Sequence, residues 1–324
     1  MNNQLRHPSD VSVDTPKEAG QGLTDHSNVI WKSDRILMGD LVFRLEGAKD
    51  NNWELGDDCF QLHKPKRMMD QYENFWSRRK DFEHTHVLEL GIFDGGSIAF
   101  WCEMWNPKRF VGIDNQDRED SKYFQQWKTS RNLDDCVRTY WRTDQTNEMK
   151  LHNIVHEDLE GHLDLVIDDA SHMYEQTKRS FEILFPLLRP GGLYIIEDWS
   201  WGCWPSLPLD FSLPHGTELL RLIAELSEAT GSIARSLPVK GVTASMWPLI
   251  TKMEVFPDFV VLERGPADPP PEGLLLDTYI TRRPTDNAAK LELKTSENEP
   301  NPEGDFTSIS KKFLKKISLK LGFK

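Results

Sequence analysis

The sequence predicts an α/β protein, with a mostly parallel sheet closed by a C-terminal antiparallel hairpin and helices on both faces. Three observations predict it. Short apolar runs alternate with helix-periodic stretches over residues 86–198, the pattern of strands joined by crossover helices. A glycine-rich turn, GIFDGG, follows the first of those runs, where open α/β sheets bind ligands. The stretch ITKMEVFPDFVVLERG sets two strand-like runs about a very short turn at Pro257-Asp258, a hairpin that ends the sheet.

Residues 1–28 are polar with scattered Pro and Gly and read as disordered. Residues 29–66 form an N-terminal extension that mixes apolar runs such as RILMGDLVFRL with a loop, DNNWELGDDC, and carries no firm assignment. Residues 67–80 are helical by the spacing of Met68, Tyr72, Phe75 and Trp76. HVLELG is the first strand of the regular part, followed by the helix SIAFWCEMW. RFVGID is the second, with SKYFQQWKTSR helical after it. CVRTYW reads as the third strand, with a helix near NEMKLHNIVHEDL. HLDLVIDD is the fourth, and MYEQTKRSFEILFPLL then sets Tyr174, Thr177, Phe181, Leu184 and Leu188 on one helical face. GGLYIIED is the fifth, and a helix around HGTELLRLIAELSEAT precedes the hairpin. The domain so defined runs over residues 67–265. PADPPPEG and TSENEPNPEGDF mark 266–307 as a linker, and 308–324 are a basic amphipathic tail. No internal repeat is present.

A chain of 324 residues supports one substantial core, and 38% hydrophobic residues is low enough to expect disordered ends. A net charge of −13 argues against nucleic acid as a partner, because phosphate binding needs a basic surface. Cys59, Cys102, Cys136 and Cys203 are widely spaced without a CxxC, as reduced thiols are. The opening residues hold no apolar leader core, and no run reaches membrane-spanning length, so a cytoplasmic protein is expected. In the tail, Ile309, Phe313 and Ile317 recur every four residues, with Leu321 one turn further, among Lys311, Lys312, Lys315, Lys316 and Lys320. A basic amphipathic helix of that kind fits peripheral contact with an anionic membrane or a lipid-linked acceptor; a solvated, fraying tail is the other reading.

In VLELGIFDGGS, Gly91, Gly95 and Gly96 allow a tight turn and close approach of backbone to a ligand. Asp114 ends the second strand, 23 residues after Gly91, positioned to accept hydrogen bonds from ribose hydroxyls. Together with LLRPGGLYIIED these features favour a nucleoside-bearing cofactor over a plain strand-to-helix turn. The nicotinamide fingerprint GxGxxG is absent. The pattern E-x-G-x-x-x-G, an acid ending the second strand and a GG turn before the fifth resembles the Rossmann-like class I S-adenosylmethionine-dependent methyltransferases, over residues 87–264. In one departure Phe93 stands where the family commonly has a glycine. The resemblance implies that Glu89, Gly91 and Gly95 line the methionine side of the cofactor and Asp114 its ribose. It also sets Asp144 at the adenine, although an acid before a helix is equally an ordinary N-cap.

The fourth strand ends in Asp168-Asp169 and the fifth in Glu197-Asp198. Neighbouring parallel strands bring such ends together, and four carboxylates there repel unless neutralised. A divalent cation does that, and oxygen ligands suit Mg²⁺, Mn²⁺ or Ca²⁺ rather than zinc; the other reading is that these acids cap helices and face water. Alternation sends Asp168 and Asp169 to opposite sides, so one of the two ligates. His172, with Ser171 as a candidate N-cap, begins the next helix and can take a proton from a metal-bound substrate. The set IDDASH, IIED and EVFPDFVVLERG resembles the metal-dependent sugar O-methyltransferases of macrolide biosynthesis, of the mycinamicin and macrocin type. That resemblance implies metal ligation by Asp169, Glu197 and Asp198, His172 as general base, and a structural Asp168. Trp199, Trp201, Trp204 and Phe211 follow the acids and can either cover a sugar ring or fill core.

The expected function is therefore O-methylation of a sugar or other small-molecule or glycan hydroxyl, dependent on S-adenosylmethionine and a divalent metal. A catechol-like diol is an alternative acceptor, and an inactive methyltransferase fold serving as a binding scaffold is an alternative of another class. A homo-oligomer is left open.

Overall fold

In the computed structural model, residues 29–46, 59–201, 218–231, 249–270 and 273–278 are described. The tail at 308–324 lies outside them, as do Trp204 and Phe211.

The chain begins with a small sheet that the sequence reading left unassigned. Strands β1 (Val29–Trp31), β2 (Arg35–Met38) and β3 (Leu41–Glu46) pair antiparallel in sequence, and β4 (Phe60–Pro65) joins β3 in parallel. The turn between β2 and β3 is Gly39-Asp40, with Gly39 at φ +59° and Met38 paired to Leu41, a two-residue hairpin of the sort glycine permits. Ile36, Met38, Leu41, Phe43 and Leu45 alternate into the core, as do Phe60, Leu62 and Lys64 of β4. β4 runs straight into α1 (Lys66–Ser77), whose Met68, Met69, Tyr72, Phe75 and Trp76 form its buried face.

The large sheet holds β5 (His86–Leu90), β6 (Arg109–Ile113), β7 (Val137–Tyr140), β8 (Leu165–Asp168), β9 (Leu193–Glu197), β10 (Ile250–Val255) and β11 (Phe259–Arg264). Their spatial order is β10-β11-β9-β8-β5-β6-β7. β5 to β9 are parallel, and β11 runs antiparallel between β9 and β10. Every residue of β5, β8 and β9 is buried, as expected of parallel strands covered on both faces. The covering helices are α2 (Gly96–Trp105), α3 (Lys122–Ser130), α4 (Glu148–Asn153), α5 (Tyr174–Leu184) and α6 (Leu219–Gly231); α4 continues into a π-helical turn over Ile154–Asp158. This is the mostly parallel α/β sheet, closed by an antiparallel hairpin and covered by helices on both faces, that the alternation predicted.

Alternation splits the core in two. Val87, Leu165, Ile167, Leu193 and Ile195 face α1, α2, α3 and the small sheet; Leu88, Val166, Tyr194 and Ile196 face α4, α5 and α6. The small sheet joins the first layer through Phe43, stacked on Phe60 at 5.3 Å and edge-on to Phe100 of α2 at 5.4 Å. Successive strands move outward from β5 to β7, then resume on the other side of β5 with β8. That reversal opens a crevice above the carboxyl ends of β5 and β8.

Candidate active site

The glycine turn stands in that crevice. Gly91 and Gly95 have φ of +82° and +80°, and a Cβ on Gly91 would lie 2.2 Å from the carbonyl oxygen of Asp169. Only glycine lets the ends of β5 and β8 close so tightly. Phe93 also adopts positive φ, +48°, so the backbone keeps a glycine-like conformation despite the side chain. Neighbours hold it there. Arg118 donates to its carbonyl oxygen at 2.9 Å and lies 4.9 Å from its ring centroid, and Asp114 Oδ2 accepts its N–H at 2.9 Å. Asp114 accepts from Ile92 N–H at 3.0 Å and Gln116 N–H at 2.8 Å as well, so it shapes the loop that it faces.

Glu89 is fully buried in β5 on the α1 side, and neither carboxylate oxygen has a hydrogen-bond partner of good geometry among the described residues. Burial pushes its pKa up to about 8, against the opposing pull of Lys64 and the Ser97 hydroxyl. Asp144 is exposed and accepts from Thr146 N–H and Oγ1, both at 2.7 Å, while Asn147 caps α4.

Asp168 and Asp169 diverge as alternation requires. Asp168 is buried on the α5 side, where Ser180 and Tyr194 hydroxyls donate to it at 2.7 Å and burial raises it to about 6. Asp169 turns to the other side. Its Oδ1 lies 3.8 Å from His172 Nε2, and its Oδ2 accepts from Lys64 Nζ at 2.8 Å. Burial would raise Asp169, but Lys64 and His172 hold it below the ordinary range. One ligand atom each from Asp169, His172 and Asp198 lie within 4.8 Å of one another, a donor set that fits a divalent ion. Asp198 follows β9 at φ +51°, its N–H bonded to the Asp258 carbonyl at 2.8 Å in the hairpin turn. Burial, then the charge of Asp169, pushes Asp198 up to about 7.

Glu197 occupies a deeper place. It pairs with Lys64 through Oε2 and accepts from Tyr72 OH at 2.5 Å through Oε1, and burial, then Asp169, raises it well above the carboxylate range. His172 does not begin a helix. α5 starts at Tyr174 without a side-chain cap, and His172 sits in the preceding loop at φ +54°. Ser171 is therefore not the N-cap; its Oγ accepts the Met173 N–H at 3.3 Å. Trp201 Nε1 donates to the His172 carbonyl at 2.9 Å and fixes this loop from above. Burial lowers the His172 pKa, with Asp169 and Asp168 opposing.

Sequence reasoning missed Lys64. Its signal was the alternation of FQLHKP, which sets a charge on the same inward face as Phe60 and Leu62. Tyr72 was legible only as part of an apolar helix face.

Residues 88–199 match a family described as a methyltransferase domain. The matched segment runs from β5 to just past β9 and includes the glycine turn and the carboxylates that end β8 and β9. Demethylmacrocin O-methyltransferase of Streptomyces fradiae is 32% identical over 147 residues, covering 43% of this chain and 33% of that protein. Mycinamicin VI 2''-O-methyltransferase of Micromonospora griseorubida is 32% identical over 132 residues, covering 38% and 29%. Among solved structures, MycE methyltransferase from the mycinamycin biosynthetic pathway, in complex with Mg and SAH, is 25% identical. It covers 64% of this chain and 51% of that one at a TM-score of 0.46. The aligned part of this chain spans about a third of the length of these two curated relatives.

Proposed function

We propose that the protein is an S-adenosylmethionine-dependent, divalent-metal-dependent O-methyltransferase whose acceptor is a hydroxyl of a sugar or glycosylated small molecule. The observation that carries this is the cluster of Asp169, His172 and Asp198 directly against the glycine turn. The acceptor class rests on curated relatives whose names give 2''-O-methylation of mycinamicin VI and 2'-O-methylation of an alpha-L-rhamnosyl tetracenomycin-C.

The residues fit both groups. Glu89, buried beside the Ser97 hydroxyl and without a hydrogen bond of good geometry among the described residues, suits the ammonium of a methionine moiety, and Asp114 retains lone pairs for ribose hydroxyls beyond its three loop bonds. Asp169 and Asp198 would hold the ion. When bound, a divalent ion lowers the pKa of a coordinated hydroxyl, and S-adenosylmethionine supplies a methyl on a sulfonium leaving group. His172 is kept neutral by burial and presents Nε2 on the same side as Asp169 Oδ1, where it accepts the hydroxyl proton as transfer proceeds. Trp201 holds the His172 backbone, so the imidazole is placed before substrate arrives.

Mass spectrometry of products from candidate glycosides and catechols, with isotopically labelled cofactor, tests the reaction: no labelled methyl ether from either would defeat it. His172→Ala should retain Mn²⁺ and S-adenosylhomocysteine affinity while kcat falls about 10²–10⁴-fold. A near-normal kcat would remove the base role.

A further inference from the structure

Two residues other than glycine meet in the left-handed region at the glycine turn. His63 of β4 has φ +52° and Phe93 has φ +48°, and their rings pack edge-on with centroids 4.1 Å apart. Each conformation costs energy that a glycine would not incur, and such outliers persist where their neighbours over-determine them. His63 alternates along β4 with the buried Leu62 and Lys64, so its ring is free of the core and meets the turn. The strand touches the turn a second time, where the Gln61 carbonyl lies against Gly96 at the start of α2.

Arg118, in the loop after β6, engages Phe93 independently. Its guanidinium carbon lies 4.9 Å from the Phe93 ring centroid and 5.7 Å from that of Trp141, which follows β7. Nη1 donates to the Phe93 carbonyl at 2.9 Å, and Nη2 donates to Asp94 Oδ1 at 3.2 Å. Trp141 is itself fixed, donating from Nε1 to Asp120 Oδ1 at 2.9 Å. One ring thus connects the small sheet, the glycine turn, the loop after β6 and the end of β7. A glycine at this position would reach the same φ freely but would offer those elements no side chain to grip.

We infer that Phe93 is a positioning residue for the cofactor, the handle by which His63 and Arg118 hold the glycine turn in shape before the cofactor arrives. This rests on the S-adenosylmethionine-dependent reading above. The small sheet then belongs to the cofactor site through His63, besides covering one face of the core. A turn held in its binding shape beforehand pays less to order itself on binding, so loosening this clasp is read in affinity.

Calorimetric titration of the full chain with S-adenosylhomocysteine, alongside its melting temperature, tests the assignment. His63→Asn removes the ring while suiting a left-handed residue, and should weaken binding about tenfold. Phe93→Ala keeps the strained Cβ but loses the handle, and should weaken it by about tenfold or more. Phe93→Gly needs no clasp and should bind closer to the wild type than Phe93→Ala does. On the Phe93→Gly background, His63→Asn should cost less than about twofold, because the two residues act through one contact. Variants that melt lower yet keep wild-type affinity would show a merely structural contact and overturn the inference. An equal loss from His63→Asn in the wild type and on the Phe93→Gly background would overturn it as well. If His63→Asn does not fold, Arg118→Met takes its place, with a smaller loss expected on the Phe93→Gly background and an equal one overturning the role. Failure of the wild type to bind S-adenosylhomocysteine would instead defeat the cofactor reading itself.

Discussion

At Glu89 a carboxylate is carried into the core without a hydrogen bond of good geometry among the described residues, and the consequence is a pH dependence of known sign. Its folded pKa, about 8, exceeds the unfolded value, so the folded state keeps a proton that the unfolded chain releases. The stability it contributes is fully present below the ordinary carboxylate range and is lost as pH rises toward 8. Glu89→Gln should therefore melt higher than the wild type by a margin that grows between pH 5 and 8.5; parallel curves would show that burial does not perturb this group. The same change should weaken S-adenosylhomocysteine binding by about 1.5–3 kcal/mol, the worth of a charged hydrogen bond. Asp114 combines two duties, since it carries the N–H groups of Ile92 and Phe93 and faces the proposed ribose position. Asp114→Ala should cost roughly 1–3 kcal/mol of cofactor affinity by calorimetry. Unchanged affinity would mean that the nucleoside binds elsewhere. Asp114 stood out in the sequence by its place at the end of a strand 23 residues after Gly91, and Glu89 entered only through the family resemblance. Lys64 did not stand out, because its partners are 105 and 133 residues away and no local pattern announces them.

At the scale of elements, the glycine turn shows which features are local and which are imposed. Gly91 was legible, since a strand-to-helix turn at the switch point needs positive φ. Phe93 was legible only as a departure; what holds it at φ +48° is Arg118 and Asp114, supplied by the chain beyond the second strand. Gly96 has a different reason. Its φ is ordinary, but a Cβ there would lie 2.0 Å from the Gln61 carbonyl oxygen, so α2 rests its first turn directly on β4. Gly96→Ala should destabilise the protein by about 1–3 kcal/mol in denaturant unfolding with an unchanged slope, as overpacking does. Wild-type stability would show that α2 and β4 can part freely.

At the scale of the whole molecule, the large sheet was readable because its strands are buried on both faces and separated by helices of clear period. The small sheet was not. Its strands are short, alternate between buried and half-exposed positions, and find their register through one another; the parallel β3–β4 pairing joins segments that no turn signal connects. A boundary at residue 67, natural from the sequence, would cut between β4 and the helix it leads into. Such a cut removes the buried side chains of Ile36, Phe43, Leu45, Phe60 and Leu62, each worth about 1.5–3 kcal/mol of burial. It also leaves Glu197 and Asp169 facing a vacated lysine position, and breaking a buried pair costs about 3–5 kcal/mol. Together these losses match or exceed the roughly 5–15 kcal/mol by which a domain is stable. A chain of residues 67–278 should therefore show no cooperative thermal unfolding by circular dichroism and no Mn²⁺ binding, under conditions where the full chain does both. A cooperative melt of the shortened chain would establish the small sheet as an accessory to a self-sufficient domain and leave the site without need of Lys64.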